Sequence, residues 1–184
     1  MRVIAGVARR LPLVAPEGKD TRPTTDRIKE TLFNIIQTEV PGAEFLDLFS
    51  GSGGIGIEAL SRGAKSAVFV EIAKEALNCI DINLKKTKLK DYAVVLPMEV
   101  SYGITKLGRM GRNFDIIYMD PPYRKGLESK VLDVLADSNI IKEGTLIIVE
   151  TALETPLDDI DESRYELERI KEYKTNKHIF LRVR

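Results

Sequence analysis

The stretch that most constrains the fold is residues 45–56, where a short apolar run containing one acid ends in a cluster of glycines. The run is Phe45-Leu46-Asp47-Leu48-Phe49, and Ser50-Gly51-Ser52-Gly53-Gly54-Ile55-Gly56 follows it directly. Apolar residues at helical spacing come next and stop at Gly63. This order predicts a buried strand, a tight loop and a helix, which together open a nucleotide-binding α/β sheet.

The glycine spacing alone leaves the ligand open. Gly51, Gly53 and Gly56 form G-x-G-x-x-G, and Glu71 lies twenty residues after Gly51, where an acid can bind the ribose of NAD or of S-adenosylmethionine. Two features favour the second ligand. Asp47 precedes the first glycine by four residues, and Asp120-Pro121-Pro122-Tyr123, which a dehydrogenase does not need, follows about seventy residues later.

Beyond residue 44 the hydrophobic pattern predicts alternating strands and helices. The predicted strands are 44–49, 66–71, 92–96, 114–119, 145–150, 164–172 and 177–183, and the predicted helices are 55–62, 73–86, 101–108 and 126–137. Repeated βα units indicate a parallel sheet with helices on both faces. Because only a few residues separate the last two strands, we expect that pair to be antiparallel.

The first forty residues are predicted to form an extension of the same domain. Residues 2–14 have the pattern of a β-hairpin turning at Ala8-Arg9-Arg10. Thr24 or Thr25 can cap a helix that carries Ile28, Leu32, Ile35 and Ile36 on one stripe. We therefore expect a single domain, 1–184, with a hairpin and helix at 1–40 and the catalytic sheet at 41–184.

Three acids at strand ends are candidate cofactor ligands, since α/β sheets bind ligands beyond the carboxyl ends of their strands. Glu71 ends the second strand and is the natural acceptor for ribose hydroxyls. Asp47 either orients the glycine loop or meets the amino group of the methionine part. Glu99 follows the third strand, near the expected adenine position.

The segment Asp120-Pro121-Pro122-Tyr123 follows the fourth strand and is the candidate catalytic motif. Two prolines remove two backbone N–H donors, so carbonyl oxygens and the Asp120 carboxylate remain as acceptors. Such a group suits a planar exocyclic amine, which donates two hydrogens and whose lone pair is then directed towards a methyl group. No strong base is needed, because catalysis is mostly orientation and electrostatics. Tyr123 offers a ring on which a base can stack.

Composition excludes several classes of protein. With 28 basic and 28 acidic residues the chain has no net charge, so a uniformly basic nucleic-acid binder is excluded although a local basic patch is not. No apolar run is long enough for a membrane span, and the single cysteine, Cys79, permits no internal disulfide. We expect a cytoplasmic protein without a metal site, most simply a monomer. Cys79 is interpreted as core, His178 receives no role, and the acidic run 150–168 is interpreted as a solvated face.

Together these motifs resemble the bacterial 16S ribosomal RNA guanine-N2 methyltransferase family. The resemblance covers residues 1 to about 150 and rests on four segments: Met1 to Gly6, Thr21 to Asn34, Leu46 to Gly53 and Asp120 to Tyr123. It implies a Rossmann-like class I methyltransferase fold with a seven-stranded, mostly parallel sheet. It also implies methyl transfer from S-adenosylmethionine to the exocyclic amine of a guanine in 16S ribosomal RNA or the small ribosomal subunit. The chain departs from relatives at Tyr173-Lys174-Thr175-Asn176, where they tend to carry Tyr-Gly-x-Thr.

The resemblance also implies roles for individual residues. The catalytic residues would be Asp120, Pro121, Pro122 and Tyr123, and the cofactor residues would be Asp47, Phe49, Ser50, Gly51, Gly53, Glu71 and Glu99. In the stretch from Arg22 to Arg27, Arg22, Thr24 and Arg27 would face RNA. Arg9, Arg10 and Lys125 are added from their charge and position, since a chain without net charge needs a local basic surface to hold RNA. Three alternatives stay open: an amino-methyltransferase acting on DNA adenine or protein glutamine, an NAD-dependent oxidoreductase, and a non-catalytic RNA-binding module.

Overall fold

The computed structural model describes residues 1–16, 25–123, 125–156 and 160–184. Its helices are α1 (Asp26–Ile35), α2 (Gly54–Ser61), α3 (Lys74–Thr87), α4 (Val100–Arg109) and α5 (Leu127–Ala136), with one 3₁₀ turn at Lys90–Tyr92. Its strands are β1 (Glu44–Leu48), β2 (Ser66–Glu71), β3 (Ala93–Pro97), β4 (Ile116–Met119), β5 (Leu146–Ala152), β6 (Tyr165–Glu172) and β7 (Asn176–Val183). Each of these strands lies within about two residues of its predicted position.

The seven strands form one sheet in the order β3-β2-β1-β4-β5-β7-β6. Strands β1 to β5 are parallel, and β7 is antiparallel to both β5 and β6. The sequence prediction of a class I methyltransferase sheet is therefore confirmed. The strand order reverses between β1 and β4, which is where such sheets open a crevice for ligands.

Both faces of the sheet are covered, as its nearly continuous apolar strands predict. On one face Phe45, Phe69 and Tyr118 pack with the N-terminal segment, α1, α2 and α3. On the other face Leu46, Val68 and further strand residues pack with α4 and α5. Neighbouring residues of a strand alternate between the two faces, and both faces are packed against helices. Polar groups that bind a ligand are therefore expected at the carboxyl ends of the strands.

The N-terminal segment forms a shorter hairpin than the sequence predicts. Its two arms pair antiparallel through a bridge between Arg2 and Pro12 and through backbone hydrogen bonds from Val3 to Leu11, from Arg10 to Val3 and from Leu13 to Met1. The tip of the loop is bonded to α2 and not to a partner strand: Ile4 and Ala5 donate their backbone N–H groups to Glu58, and Val7 donates to the Ser61 carbonyl. These bonds to the helix take the donors that a longer ladder would use.

A buried ion pair fixes α1 to the same place. Lys29 and Glu58 are fully buried, with Nζ and Oε2 3.4 Å apart, and Lys29 also donates to the Arg2 carbonyl at 2.6 Å. Burial lowers the pKa of Lys29, and the neighbouring Glu58 carboxylate opposes that shift. Thr25, one of the two predicted caps, accepts from the backbone N–H of Ile28 and begins the helix. This arrangement brings the start of α1 to the edge of the cleft.

Candidate active site

A large cleft of about 1180 Å³ lies at the carboxyl ends of the parallel strands. It is lined by the glycine loop after β1, the end of β2, the segment after β4, the end of β5 and the start of β7. Arg27 and Thr31 of α1 contribute to its rim. Candidate cofactor and candidate catalytic residues therefore share one cleft, as the strand-end rule predicts.

The glycine loop turns through backbone conformations that favour glycine. Gly51 and Gly53 have φ values of +53° and +77°, and Phe49 adopts a left-handed φ of +60° although it carries a side chain. A Cβ on Gly51 would meet no atom within 4 Å, so what requires glycine there is the backbone angle. Ser50 donates its hydroxyl to the Asp47 carbonyl at 2.6 Å and the Val70 carbonyl at 3.2 Å. The loop is thus tied to both neighbouring strands.

Asp47 is buried within β1 and still lines the cleft. Its Oδ2 accepts the backbone N–H of Gly56 in α2 at 2.9 Å. This contact corresponds to the first of its two predicted roles, since it fixes the loop against the strand. Burial raises the pKa of Asp47 well above its usual range, and the hydrogen bond from Gly56 opposes the shift.

Glu71, at the end of β2, is held by three backbone donors. Its Oε2 accepts from Gly51 at 2.8 Å, and its Oε1 accepts from Ile72 and Ala73, both at 2.8 Å. A carboxylate offers about four acceptor positions, so the oxygen facing Gly51 keeps one for a ligand. The same side chain that shapes the glycine loop can therefore accept a hydroxyl in the cleft.

Two predicted cofactor residues, Gly53 and Glu99, are not among the residues lining the cleft; Gly53 is buried within the glycine loop. Glu99 lies elsewhere. It is the N-cap of α4, where its carboxylate accepts from the backbone N–H groups of Ser101 at 2.9 Å and Tyr102 at 3.3 Å. An acid directly before a helix caps its free N–H groups, which accounts for the position of Glu99 without a ligand.

The predicted catalytic segment follows β4 directly and faces the glycine loop. Asp120, Pro121, Pro122 and Tyr123 all line the cleft, and the Tyr123 ring is 39% exposed. The backbone N–H of Asp120 lies 3.4 Å from the Leu48 carbonyl of β1, so the two motifs meet at the switch point of the sheet. Burial, and then the negative charges of Glu150 and Asp47, raise the pKa of Asp120 well above its usual range.

A carboxylate that sequence reasoning missed lies beneath this segment. Glu150 in β5 is 4% exposed and accepts hydrogen bonds from four side chains. Tyr118 and His178 donate to Oε2, and the bond from His178 is 3.0 Å long. Asn176 donates to Oε1 at 2.6 Å, and the Tyr123 hydroxyl donates to the same oxygen at 3.3 Å. Burial raises the pKa of Glu150, but the hydrogen bonds from His178, Tyr118 and Tyr123 outweigh it, so the net shift is downward.

The interpretation of residues 150–168 as a solvated face is therefore wrong for Glu150. So is the absence of a role for His178, which is fully buried and also lies 3.1 Å from the Tyr173 hydroxyl through Nδ1. A signal was present in the sequence. Glu150 follows four apolar residues at the end of a strand, the same position that identified Glu71 and Asp120.

The predicted RNA-facing residues fall into three groups. Arg27 is exposed on the rim of the cleft, Arg9 and Arg10 are exposed in the N-terminal turn, and Lys125 is exposed beside the catalytic segment. Arg10 adopts a left-handed φ of +69° at that turn. Arg22 and Thr24 lie outside the described residues.

The described residues contain neither a cluster of metal-binding side chains nor a helix that could span a membrane. Within residues 1–16, 25–123, 125–156 and 160–184, His, Cys, Asp and Glu side chains form no group of three or more that could hold a metal ion. None of the helices in that part of the chain is both long and apolar enough to cross a bilayer. Cys79 is buried in α3, as its interpretation as core predicts.

With this geometry established, comparison with known proteins identifies the family. A family model described as "Conserved hypothetical protein 95" matches residues 1–183. The chain belongs to this family. Among its relatives is the Ribosomal RNA small subunit methyltransferase D of Haemophilus influenzae, 38% identical over 85% of this chain and 81% of that protein. The protein of that name from Escherichia coli K12 is 35% identical over 87% of this chain and 79% of its own length.

Solved structures of family-level similarity have the same fold over the whole chain. The Escherichia coli protein yhhF superposes with a TM-score of 0.86 at 31% identity, covering 100% of this chain and 97% of its own. The structure of SMU.776 complexed with SAH has a TM-score of 0.71 at 17% identity, over 84% of this chain and 49% of that one, which shows likeness of fold alone. The resemblance stated from sequence is confirmed at the level of the family.

Proposed function

We propose that the protein transfers a methyl group from S-adenosylmethionine to the exocyclic N2 amine of a guanine in the 16S RNA of the small ribosomal subunit. The observation that carries the proposal is the shared cleft, in which the Asp120–Tyr123 segment faces the glycine loop and Glu71. The names of the family relatives, ribosomal RNA small subunit methyltransferase D, support the substrate class.

The cofactor would occupy the part of the cleft between the glycine loop and β2. Glu71 keeps an acceptor position for a ribose hydroxyl, Phe49 and Ile72 offer apolar surface, and the open backbone at Gly51 permits close approach. These groups fit S-adenosylmethionine, which supplies an electrophilic methyl group when bound. Because the backbone donors already hold Glu71, little reorganisation would accompany binding.

The acceptor amine would lie at Asp120. Its carboxylate and the carbonyl oxygens beside the two prolines are acceptors, and a proline has no N–H to compete for them. Accepting both amine hydrogens would aim the nitrogen lone pair towards the cofactor side of the cleft. Tyr123, tethered through its hydroxyl to Glu150, would hold its ring as a fixed stacking surface for the base.

RNA binding by a chain without net charge requires a local basic surface, because phosphate contacts dominate affinity. Arg27 at the rim, the exposed pair Arg9 and Arg10, and Lys125 would supply it. Arg2, by contrast, is paired with Asp26 at 2.9 Å and joins the N-terminal segment to α1.

The alternatives differ in substrate and in cofactor. A dehydrogenase has no use for the Asp120–Tyr123 segment opposite the glycine loop, and a non-catalytic RNA module has no use for a buried carboxylate network beneath it. Transfer to DNA adenine or to protein glutamine would use the same kind of amine, so substrate assays must decide. The names of the family relatives favour RNA.

Labelled methyl transfer tests the proposal. The protein is incubated with methyl-labelled S-adenosylmethionine and with naked 16S RNA, small-subunit particles, large-subunit RNA or DNA in separate reactions. We expect label in small-subunit RNA or in its particles and background in the other two. Label in DNA, or none in any substrate while the cofactor binds, would contradict it.

Calorimetry separates the cofactor from NAD. We expect S-adenosylmethionine and its demethylated product to bind and NAD to give no heat of binding. Binding of NAD with no response to either methionine nucleoside would indicate an oxidoreductase instead.

A further inference from the structure

The acceptor side of the cleft contains one buried polar atom that nothing satisfies. Asn176, the first residue of β7, lines the cleft and is 4% exposed. Its Nδ2 donates to Glu150, but its Oδ1 is buried without a hydrogen-bond partner, the one such side-chain atom in the part of the chain that the structure describes. Buried acceptors are nearly always paired, so an orphan beside an active site is a candidate position for a donor supplied by a ligand.

The amide cannot turn round to satisfy itself. A carboxylate only accepts hydrogen bonds, so the NH₂ end of Asn176 must face Glu150 and the oxygen must face away from it. Glu150 is held in place by Tyr118 and His178, and its lowered pKa keeps it ionised. The orientation of the unpaired oxygen is therefore built into the network.

The network also places Asn176 next to the surface for the base. Its Nδ2 and the Tyr123 hydroxyl reach the same carboxylate oxygen of Glu150, at 2.6 Å and 3.3 Å. Strand β7 starts where β4 and β5 end, because β7 is antiparallel to β5 and β5 is parallel to β4. An acceptor that shares Glu150 with Tyr123 in the same cleft would be close to a base that stacks on Tyr123 and offers its amine to Asp120.

The three bases with an exocyclic amine differ in the atom beside that amine. In guanine the amine N2 is flanked by N1–H, which is a donor, on one side and by N3, which is an acceptor, on the other. In adenine the neighbour of N6 is N1, and in cytosine the neighbour of N4 is N3, both of which are acceptors. A second protein acceptor next to the amine can accept a hydrogen bond from N1–H of guanine. In adenine and cytosine the same acceptor would face the lone pair of a ring nitrogen, which repels it.

We infer that Oδ1 of Asn176 accepts the N1–H of the target base and thereby selects guanine. The inference deepens the proposed function and rests on it, because it supposes transfer to an amine at Asp120. Asn176 does not touch the transferred methyl group in this account. It determines which base presents its amine.

The test combines two enzymes with two RNA substrates, in the manner of a double-mutant cycle between the Asn176 side chain and the target base. RNA carrying guanine or 2-aminopurine at the methylated position is given to the wild type and to Asn176→Ala. 2-Aminopurine keeps the amine but lacks the N1 hydrogen. We expect the wild type to lose about 10- to 100-fold in kcat/KM with 2-aminopurine, and the variant to lose only a few-fold. 2-Aminopurine also lacks O6, but that loss affects both enzymes equally and cancels when their fold-changes in kcat/KM are compared.

Equal losses in the two enzymes would overturn the inference while leaving the proposed function intact, whereas absence of guanine transfer by the wild type would remove both.

If Asn176→Ala is inactive on either RNA, the matched pair Asn176→Thr and Asn176→Val decides. A threonine hydroxyl can donate to Glu150 and accept N1–H, and valine has the same shape and neither ability. We expect threonine to keep guanine transfer and its preference over 2-aminopurine, and valine to lose the preference. Equal behaviour of these two would also overturn the inference.

Discussion

The two halves of the cleft hold their side chains by different means. In the cofactor half, defined as residues 49–54 with Glu71, the carboxylate is fixed by backbone N–H groups of the loop and strand that surround it. In the acceptor half, defined as Asp120, Tyr123, Glu150 and Asn176, side chains from β5, β7 and the segment after β4 hold one another around the buried Glu150. The cofactor half follows from two adjoining βα units, whereas the acceptor half exists only once the sheet has assembled.

This difference separates the expected effects of mutation. A change in the cofactor half should alter affinity for the cofactor, because backbone geometry there is the binding surface. A change in the acceptor half should alter the rate of transfer or the choice of base and leave cofactor affinity alone. Four measurements test that division.

Asp120→Ala should have the largest effect. Loss of a positioned acceptor is expected to lower kcat by roughly 10²–10³, by analogy with loss of one preorganised transition-state hydrogen bond. Cofactor affinity should stay within a few-fold, which calorimetry measures on the same preparation. A variant with near-normal turnover would remove Asp120 from the mechanism, and one with greatly weakened cofactor binding would break the division between the halves.

Glu71→Ala should weaken cofactor binding and leave the rate of transfer nearly unchanged. It removes the ribose acceptor and leaves the Gly51 N–H without its partner, so we expect Kd for S-adenosylmethionine to rise about 10- to 100-fold. The kcat at saturating cofactor should change little. The exposed Glu143, which is not among the residues lining the cleft, provides a matched control, and Glu143→Ala should leave Kd within about two-fold. A Glu71 variant that loses kcat with unchanged Kd would contradict the assignment.

The basic surface should appear as a change in salt dependence. Arg10→Ala combined with Arg27→Ala removes two candidate phosphate contacts, so the slope of log K for RNA against log salt should fall by roughly 1.4–1.8 units. The control pair is Lys85→Ala with Lys90→Ala, since both lysines bind Asp81 away from the cleft. A larger change in slope from the lysine pair than from the arginine pair would indicate that RNA binds at the surface of Lys85 and Lys90 instead.

The smallest expected effect is a shift in the pH profile. Asp120 must be ionised to accept from the amine, and its pKa is raised, so kcat/KM should fall with decreasing pH well above the usual range of an aspartate. Glu150→Gln removes a negative neighbour and lowers the pKa of Asp120, so this acid limb should move to lower pH. Glu166→Gln, on the exposed side of β6, should leave the limb in place. Movement of the limb to higher pH in Glu150→Gln would contradict the electrostatic coupling.

The same contrast explains what sequence could predict. The strands, the glycine loop and the Asp120–Tyr123 segment follow from patterns within a few residues of one another, and Glu71 follows from its place at a strand end twenty residues after Gly51. The contacts of Glu150 with Asn176 and His178 join residues 26 and 28 positions apart, and they depend on the β5–β7 register that pairs Glu150 with His178. No local pattern contains that register, and an acid near an acidic run resembles a solvated residue. The N-terminal hairpin is shorter than predicted for a related reason, because the Ile4 and Ala5 N–H groups bond to Glu58 of α2, which is distant in sequence.

The measurement that tests the account most directly is the chemical identity of the methylated nucleoside. Small-subunit RNA methylated by the wild type is digested completely, and the modified nucleoside is identified by mass spectrometry against standards. The account predicts N2-methylguanosine at one position, absent when Asp120→Ala replaces the wild type. N6-methyladenosine, N4-methylcytidine or a methyl group on a ring carbon would contradict it, because none of these places a donor opposite Asn176 and an amine at Asp120.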